Sequence, residues 1–162
     1  MDKISFKNVD DNAEIYINDI SLIDIIEKIE FEGMLEEERS DSVNIAGAYV
    51  YIFSGWLHHQ LTKNKDWATV LACECGEPCC WDFKLSVIES EGKVYWLGFD
   101  QPYREYWTYD RLPYFEFDKK QYDSELKKLK KWAHKYLPNS IKYREKLQRK
   151  LISRRKSQKK QL

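Results

Sequence analysis

All four cysteines of the chain fall within eight positions, in Cys73-Glu74-Cys75-Gly76-Glu77-Pro78-Cys79-Cys80-Trp81. Thiolates are good zinc ligands, and structural zinc takes four tetrahedral donors, ordinarily from paired Cys-x-x-Cys loops. Here the spacing is Cys-x-Cys, three spacers, then Cys-Cys. On a regular strand Cys73 and Cys75 share a face, whereas Cys79 and Cys80 point apart. Cys73, Cys75 and Cys80 are then the convergent thiols, and a fourth donor must come from His58, His59 or an acid. Imidazole titrates near neutrality, but adjacent histidines point different ways on any regular element, so at most one of the pair faces a site. A catalytic thiol needs a nearby cation or helix N-terminus, and the neighbours here are Glu74, Glu77 and Asp82. Cysteines packed as small hydrophobes are the favoured reading. The cofactor expectation is accordingly none, or one structural zinc on that ligand set.

A second candidate is the segment from Asp100 to Pro113, which carries Tyr103, Tyr106, Trp107 and Tyr109 with Arg104 and Arg111 interleaved. Such a set can form a stacking platform or a cation–π recognition surface, with Tyr103, Arg104, Trp107 and Arg111 as the binding residues. Rings of this kind more often cover a sheet face. No Gly-x-Ser-x-Gly, phosphate loop, dinucleotide glycine pattern or His-Glu-x-x-His occurs, so no catalytic set stands out.

The net charge of zero hides a division. Residues 1–126 hold 12 Lys and Arg against 26 Asp and Glu, a balance of −14; residues 127–162 hold 15 against one, a balance of +14. That asymmetry suits a basic arm that docks on an acidic partner or nucleic acid, or one that folds back on its own acidic body. Lys146, Arg149, Lys150, Arg154 and Arg155 are the phosphate-binding candidates. With 162 residues and 43% apolar content, one domain is the default. The boundaries expected are an α+β domain over 1–137 and a basic helical extension over 138–162. The longest apolar run, Ile45 to Phe53, is too short to span a bilayer, and no charged-then-apolar leader precedes the first strand. The expectation is a cytoplasmic protein with reduced thiols and no membrane partner.

The elements that must position these residues follow from the pattern of apolar positions. Ile4–Val9 and Glu14–Asn18 alternate and predict an opening strand pair; Leu22, Ile25, Ile26 and Ile29 predict a helix that Ser21 or Asp19 caps and that ends near Gly33. Glu36–Ser42 reads as a solvated loop. Val43–Phe53 reads as a central buried strand, with a bulge or a close backbone approach at Gly47. Asn64-Lys65-Asp66 is a polar break. Thr69–Cys73 and Asp82–Ile88 flank the cysteine knuckle as strands, and Asp82–Glu89 with Lys93–Phe99 forms a hairpin about Ser90-Glu91-Gly92. Tyr114–Phe117 is a short strand. Asp118 and Gln121 open a helix whose stripe is Tyr122, Leu126, Leu129, Ala133 and Tyr136 and which stops before Pro138. Asn139 caps a last basic helix with Tyr143, Leu147 and Leu151 on its narrow stripe. The sum is a mostly antiparallel sheet of about five to seven strands, two packed helices and the basic C-terminal helix.

The order of motifs resembles a bacterial family of small uncharacterised proteins. The residues that carry it are Ala46-Gly47-Ala48-Tyr49, the knuckle from Cys73 to Trp81 in the form Cys-x-Cys-Gly-x-x-x-Cys-Trp, Pro102-Tyr103-Arg104, and Phe117 with Tyr122 five positions on. It covers roughly residues 13–130. Within that family pattern the place of Cys79 is commonly glycine and that of Tyr103 commonly histidine, which singles out Cys73, Cys75 and Cys80 among the thiols. The resemblance implies no established activity. The first functional expectation is a non-catalytic interaction protein, an immunity- or antitoxin-like binder of a protein partner. The alternative is a nucleic-acid-associated module that uses the basic C-terminal helix, with or without zinc at the knuckle. A metal- or thiol-dependent enzyme using Cys73, Cys75 and Cys80 comes third.

Overall fold

Alternating segments and two-residue turns build the first sheet. Ile4–Val9 (β1) pairs antiparallel with Asn12–Ile17 (β2), from Ile4↔Ile17 to Val9↔Asn12, and Ile4, Phe6, Ala13, Ile15 and Ile17 are buried. Those alternate positions line one face of the pair. Asp10 and Asp11 turn the hairpin with φ of 49° and 70°; Asn18 and Asp19, at 51° and 65°, turn β2 into the short strand Ile20–Ser21 (β3). Positive φ at both central residues matches the twist of the flanking strands, and Asp and Asn tolerate it better than branched side chains.

The structure is a computed structural model that describes residues 1–34, 45–75 and 81–133, together with Arg149. The expected loop at 36–42, Gly76 to Cys80 of the knuckle and the C-terminal helix with its cap and stripe, Arg149 apart, lie outside the described residues.

Leu22–Gly33 forms helix α1, which buries Leu22, Ile26 and Glu30. Ser21 stands at its N-cap without a capping bond from its side chain, whose hydroxyl lies 2.5 Å from that of Tyr51. The second sheet holds Tyr49–Tyr51 (β4), Ala68–Cys73 (β5), Phe83–Ser90 (β6), Lys93–Asp100 (β7) and Phe115–Asp118 (β8), adjacent in that order and antiparallel throughout. Glu91 and Gly92 turn the β6–β7 hairpin.

Two expectations change here. Of the segment expected as a central strand, the described residues 45–53 form only the short strand Tyr49–Tyr51, at the edge of its sheet, and an isolated bridge from Phe53 to Asn12, because a turn at Ala46-Gly47 interrupts the run. Gly47 has φ of +69°, and a Cβ there would stand 2.5 Å from the Glu27 Cβ, so the close approach expected at that glycine is real. Second, Ser54–Lys63 is a helix, α2, which sequence reading left unassigned; Leu57 and Leu61, one turn apart, are wholly buried. A short 3₁₀ turn, Lys65–Trp67, then leads into β5.

The last described helix, α3, covers 119–133. Asp118 Oδ1 accepts the Gln121 N–H at 2.9 Å, which is the expected capping contact, and Tyr122, Leu129 and Ala133 are buried. Backbone bonds join the two sheets at both edges. Asp2 N–H donates to the Glu116 carbonyl at 2.7 Å, Ala13 N–H to that of Ile52 at 2.9 Å, and Ser54 N–H to that of Asp11 at 3.0 Å. One continuous core runs through both sheets and the three helices. The class is α+β, with eight strands in two antiparallel sheets and three helices among the described residues, where about five to seven strands and two packed helices were expected.

Candidate binding cleft beside the cysteine knuckle

The end of the second sheet at which β5 stops is roofed by the 101–114 connection between β7 and β8. Fully buried Gln101 shapes the first half of that loop: its Oε1 accepts the Tyr103 N–H at 2.7 Å and its carbonyl the Arg104 N–H at 3.1 Å. Trp107 N–H then donates to the Arg104 carbonyl at 3.0 Å. These turns place Arg104 against two indoles. Its guanidinium carbon lies 4.9 Å from the centre of the Trp81 ring and 5.2 Å from that of Trp107, while the two indoles meet edge to face at 5.8 Å. Arg104 also lies 5.7 Å from the Tyr106 ring and donates to the Tyr106 hydroxyl. Each such cation–π contact contributes on the order of 1 kcal/mol, and together they hold a long side chain in one orientation.

Arg104 and Trp81 form one wall of a cleft of ≈ 480 Å³; Ile45 and Ala48 form another, and Cys73, Glu74 and Cys75 complete it. Cys73 and Cys75 both carry thiols, and the Cys75 N–H donates to Cys73 Sγ at 3.5 Å. Its lining is mainly apolar, with the oriented Arg104 guanidinium and Glu74 as its charged groups. Trp107 is buried, but Tyr103 and Tyr106 on the same loop are each 49% exposed.

Behind the cleft lies a group that sequence reading missed. Glu30, 2% exposed, accepts the hydroxyls of Tyr49 and Tyr109 on Oε1, the latter at 2.8 Å, and the Gly47 N–H on Oε2 at 2.8 Å. Burial pushes its carboxyl above the usual range, and the three donated bonds oppose that only in part. Burial likewise raises both tyrosine hydroxyls, with the Glu30 carboxylate adding to it, so they stay protonated donors. The signal was present in the sequence. Leu22, Ile26 and Glu30 recur every four residues, so the glutamate sits on the buried stripe of its own helix.

The sequence-predicted residues divide. Cys73, Cys75 and Arg104 line one cleft, Trp107 packs on Arg104 and Trp81, and Tyr103, next to Arg104 in the chain, is half exposed. Arg111 does not join them: it lines a separate groove of ≈ 400 Å³ against α1 and lies 3.8 Å from Glu32. His58, half-buried, and His59, exposed, ride on α2, which leads into the start of β5, whereas Cys73 ends that strand. Cys80 lies outside the described residues, and among those described no three His, Cys, Asp or Glu side chains gather as a set able to hold a metal ion. Arg149 is exposed; Lys146, Lys150, Arg154 and Arg155 lie outside the description. No helix among the described residues is long and apolar enough to cross a membrane. In comparisons with family models, curated proteins and solved structures, nothing matches the chain.

Proposed function

We propose that the protein is a non-catalytic binder of a protein partner, of the immunity or antitoxin kind, and that the Trp81–Arg104 cleft with its tyrosine rim is the contact surface. The observation that carries this reading is the clamping of Arg104 over Trp81 and Trp107 beside two half-exposed tyrosines. Arg, Trp and Tyr are the residues that concentrate binding energy at interfaces, and rings fixed before contact lose little entropy on binding. The acidic balance of residues 1–126 would steer a basic partner towards this body.

The test is capture on immobilised protein from cells that express it, with partners identified by mass spectrometry. A protein retained by the wild type and released by Arg104→Ala and Tyr106→Ala, with both variants melting as cooperatively as the parent, supports the reading. Retention indifferent to both substitutions overturns it. So does turnover of a small substrate that Cys73→Ser or Cys75→Ser abolishes.

A second reading rests on the +14 balance of residues 127–162. There Lys146, Arg149, Lys150, Arg154 and Arg155 bind phosphates, with a structural zinc at the knuckle as an optional part. That reading requires nucleic-acid binding that weakens steeply with salt and disappears when the chain is cut after Pro138.

A further inference from the structure

We propose that Glu30 is a positioning residue that sets the width of the Trp81–Arg104 cleft by tying two of its walls to one buried carboxylate. One wall is the turn carrying Ile45 and Ala48; the Gly47 N–H at its centre donates to Oε2 at 2.8 Å. The other wall is the loop carrying Arg104, whose Tyr109 hydroxyl donates to Oε1 at 2.8 Å. Tyr49, at the start of β4, donates to that same oxygen, so three donors from two segments distant in sequence meet on one side chain.

The surroundings leave the carboxylate little freedom. Glu30 lies on the buried stripe of α1, so the knot is anchored to a helix seated in the core. The turn cannot move towards that helix, since Gly47 already lies where a Cβ would strike Glu27. Tyr109 is held on its far side by Phe83, edge to face at 5.1 Å. A carboxylate with two acceptor oxygens can serve separate donors on its two sides, which no other side chain of this length does without presenting a donor to one of them.

The Glu30 clasp holds the walls whether or not a partner binds there; its functional consequence rests on the reading of the cleft as the contact surface. Cys73, half-buried in the cleft, reports the opening, and Cys75, already exposed, serves as the internal reference. Tyr109→Phe unties the loop wall and Tyr49→Phe, on the same carboxylate oxygen, does not. Alkylation of the native protein followed by peptide mapping should show Cys73 reacting about tenfold faster relative to Cys75 in Tyr109→Phe, and changing less than about twofold in Tyr49→Phe. Leu129→Ala, in α3, controls for general loss of stability and should leave the ratio unchanged.

Equal ratios in Tyr109→Phe and wild type overturn the proposal, as does acceleration of the same size in Leu129→Ala. If Cys73 is unmasked while the partner is still captured, the clasp stands and the cleft is not the contact surface. The two ideas therefore fail separately.

Discussion

Two tryptophan clusters, one on the second sheet and one at its end, are finished differently. Around Trp96, on β7, every contact is internal. Trp96 and Tyr122 are buried, the indole Nε1–H donates to the Tyr122 hydroxyl at 3.0 Å, and Phe117 lies edge to face with Trp96 at 5.5 Å. Around Trp81 and Trp107 the rings are arranged just as closely, but both indole N–H groups are buried without a hydrogen-bond partner among the described residues, and an arginine lies across the pair. Each such group costs on the order of 1–3 kcal/mol when left unmet. The contrast separates an aromatic cluster that serves the fold from one that gives up some stability at a surface, which is the usual signature of a site.

The largest test of that division is truncation. Trp96→Ala should lower the stability by about 3–5 kcal/mol, enough to unfold a large fraction of a marginal domain, whereas Trp81→Ala, on a half-buried ring, should cost about half of that or less. Urea denaturation read by circular dichroism gives both values; equal losses would erase the distinction. Next comes Gly47→Ala, where positive φ and the Glu27 contact combine to cost about 2 kcal/mol. At Gly92, also at positive φ but with open space around it, the same change should cost about 1 kcal/mol, without altering Cys73 reactivity. A finer comparison removes one polar atom at each end. Tyr122→Phe leaves the Trp96 N–H without its acceptor and should cost about 1 kcal/mol, while Trp81→Phe deletes an N–H that has no acceptor among the described residues and should offset part of its lost ring area.

How much of this was legible in the chain depends on how local the cause was. The first hairpin, α1, the β6–β7 hairpin and the Asp118 cap follow from alternation, from period and from a capping residue, all properties of neighbours in sequence. Helix α2 was hidden because its inward face includes Ser54 and Gln60 beside Leu57 and Leu61, so its apolar stripe is broken. Gln60 Oε1 is satisfied from outside the helix, by the Thr69 N–H at 2.9 Å. Gly47 was readable as a close approach, yet not the turn that moves β4 to an edge, since what it approaches is a helix 20 residues earlier. Among the site residues, Arg104 and Trp107 announced themselves by type. Arg111, equally plausible by type, faces another groove because the loop turns between them. Glu30 was missed because a lone acid on an apolar stripe means nothing until its three donors, from two distant segments, are assembled around it.

Two acids of opposite behaviour give the last test, and it carries the inside-versus-surface comparison into pH. Glu89, on the surface, accepts hydrogen bonds from Lys65 and Lys119, which lower its carboxyl below the ordinary value of 4.5. Its contribution is therefore present above that value and lost as pH falls through the lowered one; since about a third of the side chain is exposed, screening limits it to a few tenths of a kcal/mol. Glu30 is raised above 4.5, chiefly by burial, so the folded chain holds a proton that the unfolded chain has released. Its contribution is full below 4.5 and declines as pH rises through the elevated value. Melting temperatures taken from about pH 3 to about pH 8 should show the wild type losing ground to Glu30→Gln on the alkaline side and to Glu89→Gln only on the acid side. Two curves that bend in the same window would mean that Glu30 is solvated like Glu89. The buried knot would then not be closed, and the cleft walls it joins would be free to part.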